Sequence, residues 1–362
     1  MALVPPALEI FQTRTTTLIQ LTKNPNQPLT NPIQSMLTGK ELILSTKRYA
    51  SENIRASWAH TLSTLALLLL SLTGTLFVPS LIGRIGCSVF AGLIVIRSFI
   101  IYHDFQHHCI LHNSRIAKIL MTIFGWYILA PASIWKRSHD YHHNHNSKLF
   151  SADIGSYPIV TKCKFQSMDW KQRLGYLAIR HPLTMLCGYI TMFIWGMCLR
   201  SFFSNPQKHF DSLFALLLHA AGSVLIWIFF GFQGWLLCIL IPFVIGHAIG
   251  AYLFYAQHNF PGVVFKDRCG WTYEGAAMES SSYMRMGPFM QWCTGNIGFH
   301  HIHHLNCRIP FYNLPRAMAG IQELQAAKIT TLNPKDIVAC LRLKVWDPEK
   351  QQMISYRQIF ST

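Results

Sequence analysis

Along the chain, long apolar runs alternate with polar stretches, and the runs are far longer than the three- or four-residue spacing of a water-exposed amphipathic helix allows. Residues 58–79 (WAHTLSTLALLLLSLTGTLFVP), 83–102 (GRIGCSVFAGLIVIRSFIIY), 211–231 and 234–256 each approach the length of about 20 residues that spans a bilayer as a helix. Only a few residues separate the first run from the second and the third from the fourth, so the pattern predicts two helical hairpins. Two further apolar runs, 116–134 and 183–203, are read as helices lying in or re-entering the membrane interface, with Pro131 interrupting the first and Arg200 the second. If both crossed instead, the chain would have six spans and the middle one of its three histidine clusters would need a different partner.

Composition agrees with this class. Of 362 residues only 13% are charged and 51% are hydrophobic, and the mean hydropathy is +0.25. The expected fold class is therefore an all-α integral membrane protein: four transmembrane helices in two hairpins, with interfacial helices and a cap carrying the histidines. Charge orients it. The short connectors near 80–84 and 231–234 hold one basic residue, Arg84, whereas 135–180 carries Lys136, Arg137, Lys148, Lys162, Lys164, Lys171, Arg173 and Arg180, which predicts that the long segments face the cytoplasm. The net charge of +16, from 31 Lys and Arg against 15 Asp and Glu, reads first as topology and attraction to anionic lipid, since no basic domain stands apart to bind nucleic acid.

The chain is expected to divide into an N-terminal cytoplasmic segment (1–57), a membrane body (58–320) and a C-terminal cytoplasmic helical tail (321–362). Met1–Ser57 lacks the apolar core of a signal peptide and the abundant arginine and serine of a plastid transit peptide, and reads as a plain cytosolic segment. Ten cysteines are scattered without a CxxC pair and read as reduced, buried small hydrophobes.

Three histidine clusters change the picture: HDFQHH (His103, His107, His108), HDYHH (His139, His142, His143) and HHIHH (His300, His301, His303, His304). Residues three and four apart share a helix face, so each cluster offers two or three imidazoles converging on one point. His258 follows the fourth run as His103 follows the second, which predicts emergence at the same depth and a further ligand. Imidazole-rich sites favour zinc, copper, iron or nickel, and eight or more ligands exceed what one ion accepts, so two ions are implied. A pair of irons explains the location, because reductive activation of O₂ attacks unactivated C–H bonds and bilayers are full of them. Cys109 adjoins the first cluster, but a soft thiolate suits zinc or copper better and is left out.

The motifs HDFQHH, SHDYHHNH and NIGFHHIHHLNCRIPFYNL, with YAQHNF after the fourth run, resemble the histidine boxes of the membrane fatty acid desaturase family over roughly residues 58–320. The resemblance implies metal ligands at His103, His107, His139, His142, His143, His258, His300, His303 and His304, with His108 as an addition and His301 a less certain member. His112 and His145 fall outside the matching positions. The three-residue gap in H-DFQ-H, and a third box that begins with histidine where front-end desaturases have glutamine, look like the methyl-end, Δ12-like acyl-lipid branch. Asp104, Asp140 and Asn296 are expected to support the ligands, Lys136, Arg137, Arg285 and Arg308 to meet lipid phosphate, and Trp271–Tyr283 to cap the site.

The activity so implied introduces a cis double bond into an acyl chain with O₂ and two electrons. No haem-binding, flavin, nicotinamide or iron–sulfur motif is present, so a separate electron donor, ferredoxin or cytochrome b5, is expected as partner. Two rivals differ in their signals. A related hydroxylase or ketolase on lipid, alkane or carotenoid would add oxygen rather than remove hydrogen. A metal transporter or sensor would line its spans with polar residues, for which Arg97, His219 and His247 are the main intramembrane candidates.

Overall fold

The computed structural model describes residues 36–148, 157–267 and 270–360. Most of the segment read as a cytosolic N-terminus, 1–35, lies outside them. Short helix α1 (Gly39–Ser45) leads to α2 (Ile54–Phe77), which Asn53 caps by accepting from the Ala56 N–H, and α3 (Leu81–Gln106) starts on Ser80, which caps it through the Gly83 N–H. Only Val78, Pro79 and Ser80 lie between them, and α2 packs along α3.

The run at 116–134 is not one helix. Amphipathic α4 (Arg115–Tyr127) leaves Ile116, Ile119 and Ile123 exposed on one side and buries Ala117, Met121 and Gly125 on the other. A corner through Leu129, at φ +57°, and Pro131 then turns the chain by 92° into polar α5 (Ala132–His145), which carries the second histidine cluster. Gly125 is needed at this corner's approach, because a Cβ there would stand 2.9 Å from the Tyr102 hydroxyl.

Next come α6 (Lys162–Ser167), α7 (Trp170–Ile179), α8 (Pro182–Leu186), a wide π-helical turn (Tyr189–Leu199) and α9 (Arg200–Ser204). The run at 183–203 is thus a short helix followed, after Cys187 and Gly188, by a continuous one that passes from π to α geometry at Arg200. The segment Phe210–Ala256 has 47 residues, and a straight helix of that length would reach about 70 Å, twice the hydrocarbon thickness. Gly231, at φ +67° and ψ −174°, interrupts it and separates the two predicted apolar runs. We label the parts α10 (Phe210–Trp235) and α11 (Ile241–Ala256), joined through a π-helical turn at Leu236–Leu240. Among the described residues three segments, Ile54–Phe77, Leu81–Gln106 and Phe210–Ala256, are long and apolar enough to cross a membrane, and α4 with α5 passes that test only as a bent pair.

Beyond α11, helix α12 (Tyr273–Ser280) packs against the helix of the third cluster, followed by β1 (Tyr283–Arg285), α13 (Pro288–Cys293), α14 (His300–Leu305) and α15 (Leu314–Gly320). The expectation of a helical tail from 321 is corrected. Strand β2 (Ile329–Thr331) pairs in parallel with β1, and after α16 (Pro334–Arg342) the strands β3 (Leu343–Asp347) and β4 (Gln352–Ser355) form an antiparallel hairpin before α17 (Tyr356–Ile359). Val345, Trp346 and Ile354 are strand formers, and Val345 and Ile354 pack with Phe165, Tyr176 and Ile359 in a small core. The described residues from Leu37 onward form one compact unit.

Candidate metal centre

Helices α3 and α11 lie side by side, so the residues at their ends emerge together: His103 in the last turn of α3, His107 at its C-cap, and His258 two residues past α11. The polar helix α5 brings His139, His142 and His143, and α14 brings His300, His303 and His304. All nine are buried. They sort into two groups whose possible ligand nitrogens lie within 4.8 Å of one another: His103, His107, His139, His143 and His303 in one, His142, His258, His300 and His304 in the other. Each of α5 and α14 feeds both groups, because adjacent faces of one helix turn are divided between them.

In the four-histidine group the Nε2 atoms form a ring, with separations of 3.1 Å (His142 to His258), 2.9 Å (His258 to His300), 3.1 Å (His300 to His304) and 3.2 Å (His304 to His142). Protons alone cannot satisfy it. A neutral imidazole has one N–H and one lone pair, and His258 directs Nδ1 to the Ser280 carbonyl at 3.1 Å, leaving only a lone pair at Nε2. A cation at the middle of the ring satisfies all four, and nitrogens so spaced surround a point about 2 Å from each, the usual metal–imidazole distance. In the five-histidine group Nε2 of His143 lies 3.1 Å from that of His139 and 3.0 Å from that of His303, while Nε2 of His107 is buried with no hydrogen-bond partner among the described residues.

Burial supplies the protonation state that ligation needs. It holds His107, His139, His142, His143, His300, His303 and His304 well below the ordinary histidine range, the crowding of other imidazoles adding to the effect in each, and it lowers His258 to about 4. Two closed sets of buried imidazoles, with ring nitrogens converging on each set's centre, fit two metal ions.

A family model for fatty acid desaturase matches residues 79–334, which contain every one of these histidines. This chain belongs to the fatty acid desaturase family. It is 30% identical over 273 residues to the fatty acid desaturase of Bacillus subtilis, covering 75% of this chain and 77% of that protein. It is 23% identical over 269 residues to the sn-1 oleoyl-lipid 12-desaturase of Synechocystis, covering 74% and 76%. The chloroplastic omega-6 fatty acid desaturase of Glycine max is 25% identical over 65% of this chain and 55% of its own length. The chain is thus an oxidoreductase, a membrane fatty acid desaturase whose histidine groups are suited to metal.

Around the desaturase site the remaining sequence candidates divide. Asp104 is buried and takes both roles of an orienting carboxylate: Oδ1 lies 3.0 Å from His103 Nδ1 and Oδ2 accepts the Phe311 N–H at 2.7 Å. Asp140 does not support an imidazole. It sits on the outer face of α5 and pairs with Lys136 at 2.6 Å. Asn296 donates to the Phe311 carbonyl and reaches the site only through that residue. His108 is not brought into either group: at φ +57° it ends the helix facing solvent, beside His112, and its carbonyl accepts from Arg308. His301 turns away and its Nε2 lies 3.0 Å from the Leu324 carbonyl. His145 stacks on Tyr141 at the surface, and Arg137 and Arg285 are exposed. Burial raises the Cys109 thiol far above its ordinary range, which keeps it a neutral thiol.

Some site residues carried no signal in the sequence. Trp135 stacks on His139 at 4.5 Å, and Ser280 and Phe311 act through backbone groups that any side chain would supply.

Proposed function

We propose that this desaturase holds two iron ions, one in each histidine group, and introduces a cis double bond into a membrane acyl lipid, at a Δ12-like position. The observation that carries the reading is the partition of nine buried imidazoles into sets of five and four. His103, His107, His139, His143 and His303 are assigned to one ion and His142, His258, His300 and His304 to the other. The iron pair supplies two-electron activation of O₂ when bound. The net reaction converts one CH₂–CH₂ pair, O₂, two electrons and two protons into one cis CH=CH and two waters. The electrons come from a separate donor, ferredoxin or cytochrome b5.

The protein's share is position. Phe99 and Phe254 stand one turn before His103 and His258, and with Val95, Ile96, Phe193 and Gly250 they line a narrow apolar slot of about 20 Å³ between α3 and α11. We place the acyl chain along this slot, which must widen to admit it, so that its methylenes face the histidine groups. A Cβ at Gly250 meets nothing within 4 Å, so a larger side chain there would grow into the slot. The Δ12-like assignment rests on the box spacing and on the Synechocystis relative being a 12-desaturase.

The topology we assign is four spans, 58–79, 83–102, 211–231 and 234–256, within a body of 58–320, with the boxes on the cytoplasmic side. It is supported by the break at Gly231 and by α3 and α11 ending together at the site. The test is gas chromatography–mass spectrometry of fatty acids from a host expressing the chain with a compatible donor, beside a His303→Ala control. A new species about two mass units lighter, absent from the control, is the expected result; a species heavier by one oxygen would replace the reading by a hydroxylase.

A further inference from the structure

Arg97 lies in the middle of the apolar run of α3, and it is only 2% exposed. Ionisable groups at such depth are rare and expensive, so its partners state what it is for. Among the described residues no carboxylate is one of them. Nε donates to Thr64 Oγ1 at 3.0 Å and Nη2 lies 3.3 Å from His60 Nδ1, both on α2, while Nη1 donates to the Trp292 carbonyl on α13. The guanidinium plane is covered by the Trp292 ring at 4.3 Å and by the Phe311 ring at 5.5 Å.

Those contacts lead to the metal site by a short path. The Phe311 N–H holds Asp104, and Asp104 holds His103. Trp292 and Phe311 bracket the stretch bearing His300, His303 and His304, whereas His103 and His107 stand on the helix that carries Arg97. A planar cation with several fixed donors can tie three segments at once, which a point charge cannot.

We propose that Arg97 is a positioning residue for the five-histidine group: it locks α2, α3 and the 292–311 segment together, so that His103, through Phe311 and Asp104, keeps its register against His303. His300 and His304 of the four-histidine group also stand between Trp292 and Phe311, but the hydrogen-bonded route through Phe311 and Asp104 ends on His103, so the five-histidine group is the one weakened first.

This inference rests on the two-iron reading. The test is anaerobic ferrous iron titration of purified full-length protein, with iron per chain and the Mössbauer spectrum as readouts beside thermal unfolding of the metal-free form. Wild type is expected to bind two irons; a wild type that binds none sinks the two-iron reading, not this one. Arg97→Gln is expected to stay inserted and monodisperse, to bind one iron as wild type does, and to bind the other on the order of tenfold more weakly. Arg97→Lys should lie between. Thr64→Val, which removes one acceptor and no charge, should weaken the same single site if Arg97→Gln fails to fold. Two irons of wild-type affinity and spectrum in whichever of these variants folds, or equal weakening of both sites, would overturn the proposal.

Discussion

Replacing Asp104 by asparagine changes one oxygen to an NH₂ group at constant shape, and it disturbs both hydrogen bonds that this side chain makes. In the native arrangement one carboxylate oxygen faces His103 Nδ1 and the other accepts the Phe311 N–H. The proton of His103 is therefore held on Nδ1, and its Nε2 lone pair is free for metal. If the asparagine oxygen stays with Phe311, its NH₂ confronts Nδ1, and the imidazole must move its proton to Nε2, where it blocks ligation. If the amide flips, two donors meet at Phe311 instead. Either way a charge-assisted bond worth about 1.5–3 kcal/mol is lost, which matches the roughly 10- to 100-fold loss of metal affinity seen when such orienting partners are removed. Iron titration of the purified variant should show one site weakened by that factor and the four-histidine site unchanged, with desaturation in cells reduced at least about tenfold. Two irons bound within about twofold of wild-type affinity would refute the reasoning.

The same geometry sets other expectations. His142→Ala and His303→Ala, each removing a ligand from a different group, should abolish product while the protein stays in the membrane, which fractionation and fatty-acid analysis check together. His108→Ala should keep activity within about twofold, because its ring faces solvent outside both groups. Gly250→Phe should close the apolar slot and cut turnover at least about tenfold while iron content stays at the wild-type value. Arg180→Ala should lower thermal stability by about 3 kcal/mol or more. That guanidinium is fully buried and donates to the Pro158 carbonyl at 2.9 Å and to Asn259 Oδ1 at 2.5 Å, next to His258; an unchanged unfolding temperature would show that these bonds are redundant.

The sequence by itself determined the class of the protein and the identity of its chemistry. Apolar runs of membrane length are a local property, and so is histidine at helical spacing: HDFQHH, HDYHH and HHIHH bring two or three imidazoles to one face whatever surrounds them. The hinge between the last two runs was legible for the same reason, since Gly231 lies at the junction of two runs that together exceed a bilayer.

What only tertiary structure decided is which histidine joins which group. His142 and His143 are neighbours in the chain and members of different sets, because successive residues on a helix point about 100° apart and the partners that receive them come from α3, α11 and α14. For the same reason Asp104 and Asp140 look equivalent in sequence, each following the first histidine of its box, yet one is buried against His103 and the other is paired with Lys136 outside. The C-terminal strands were missed because a short β-hairpin is defined by what it packs on, here Phe165 and Tyr176 of a distant segment. Arg97 was visible as a charge in an apolar helix, but its meaning lay in Thr64, Trp292 and Phe311, contacts between segments far apart in the chain that no local pattern encodes.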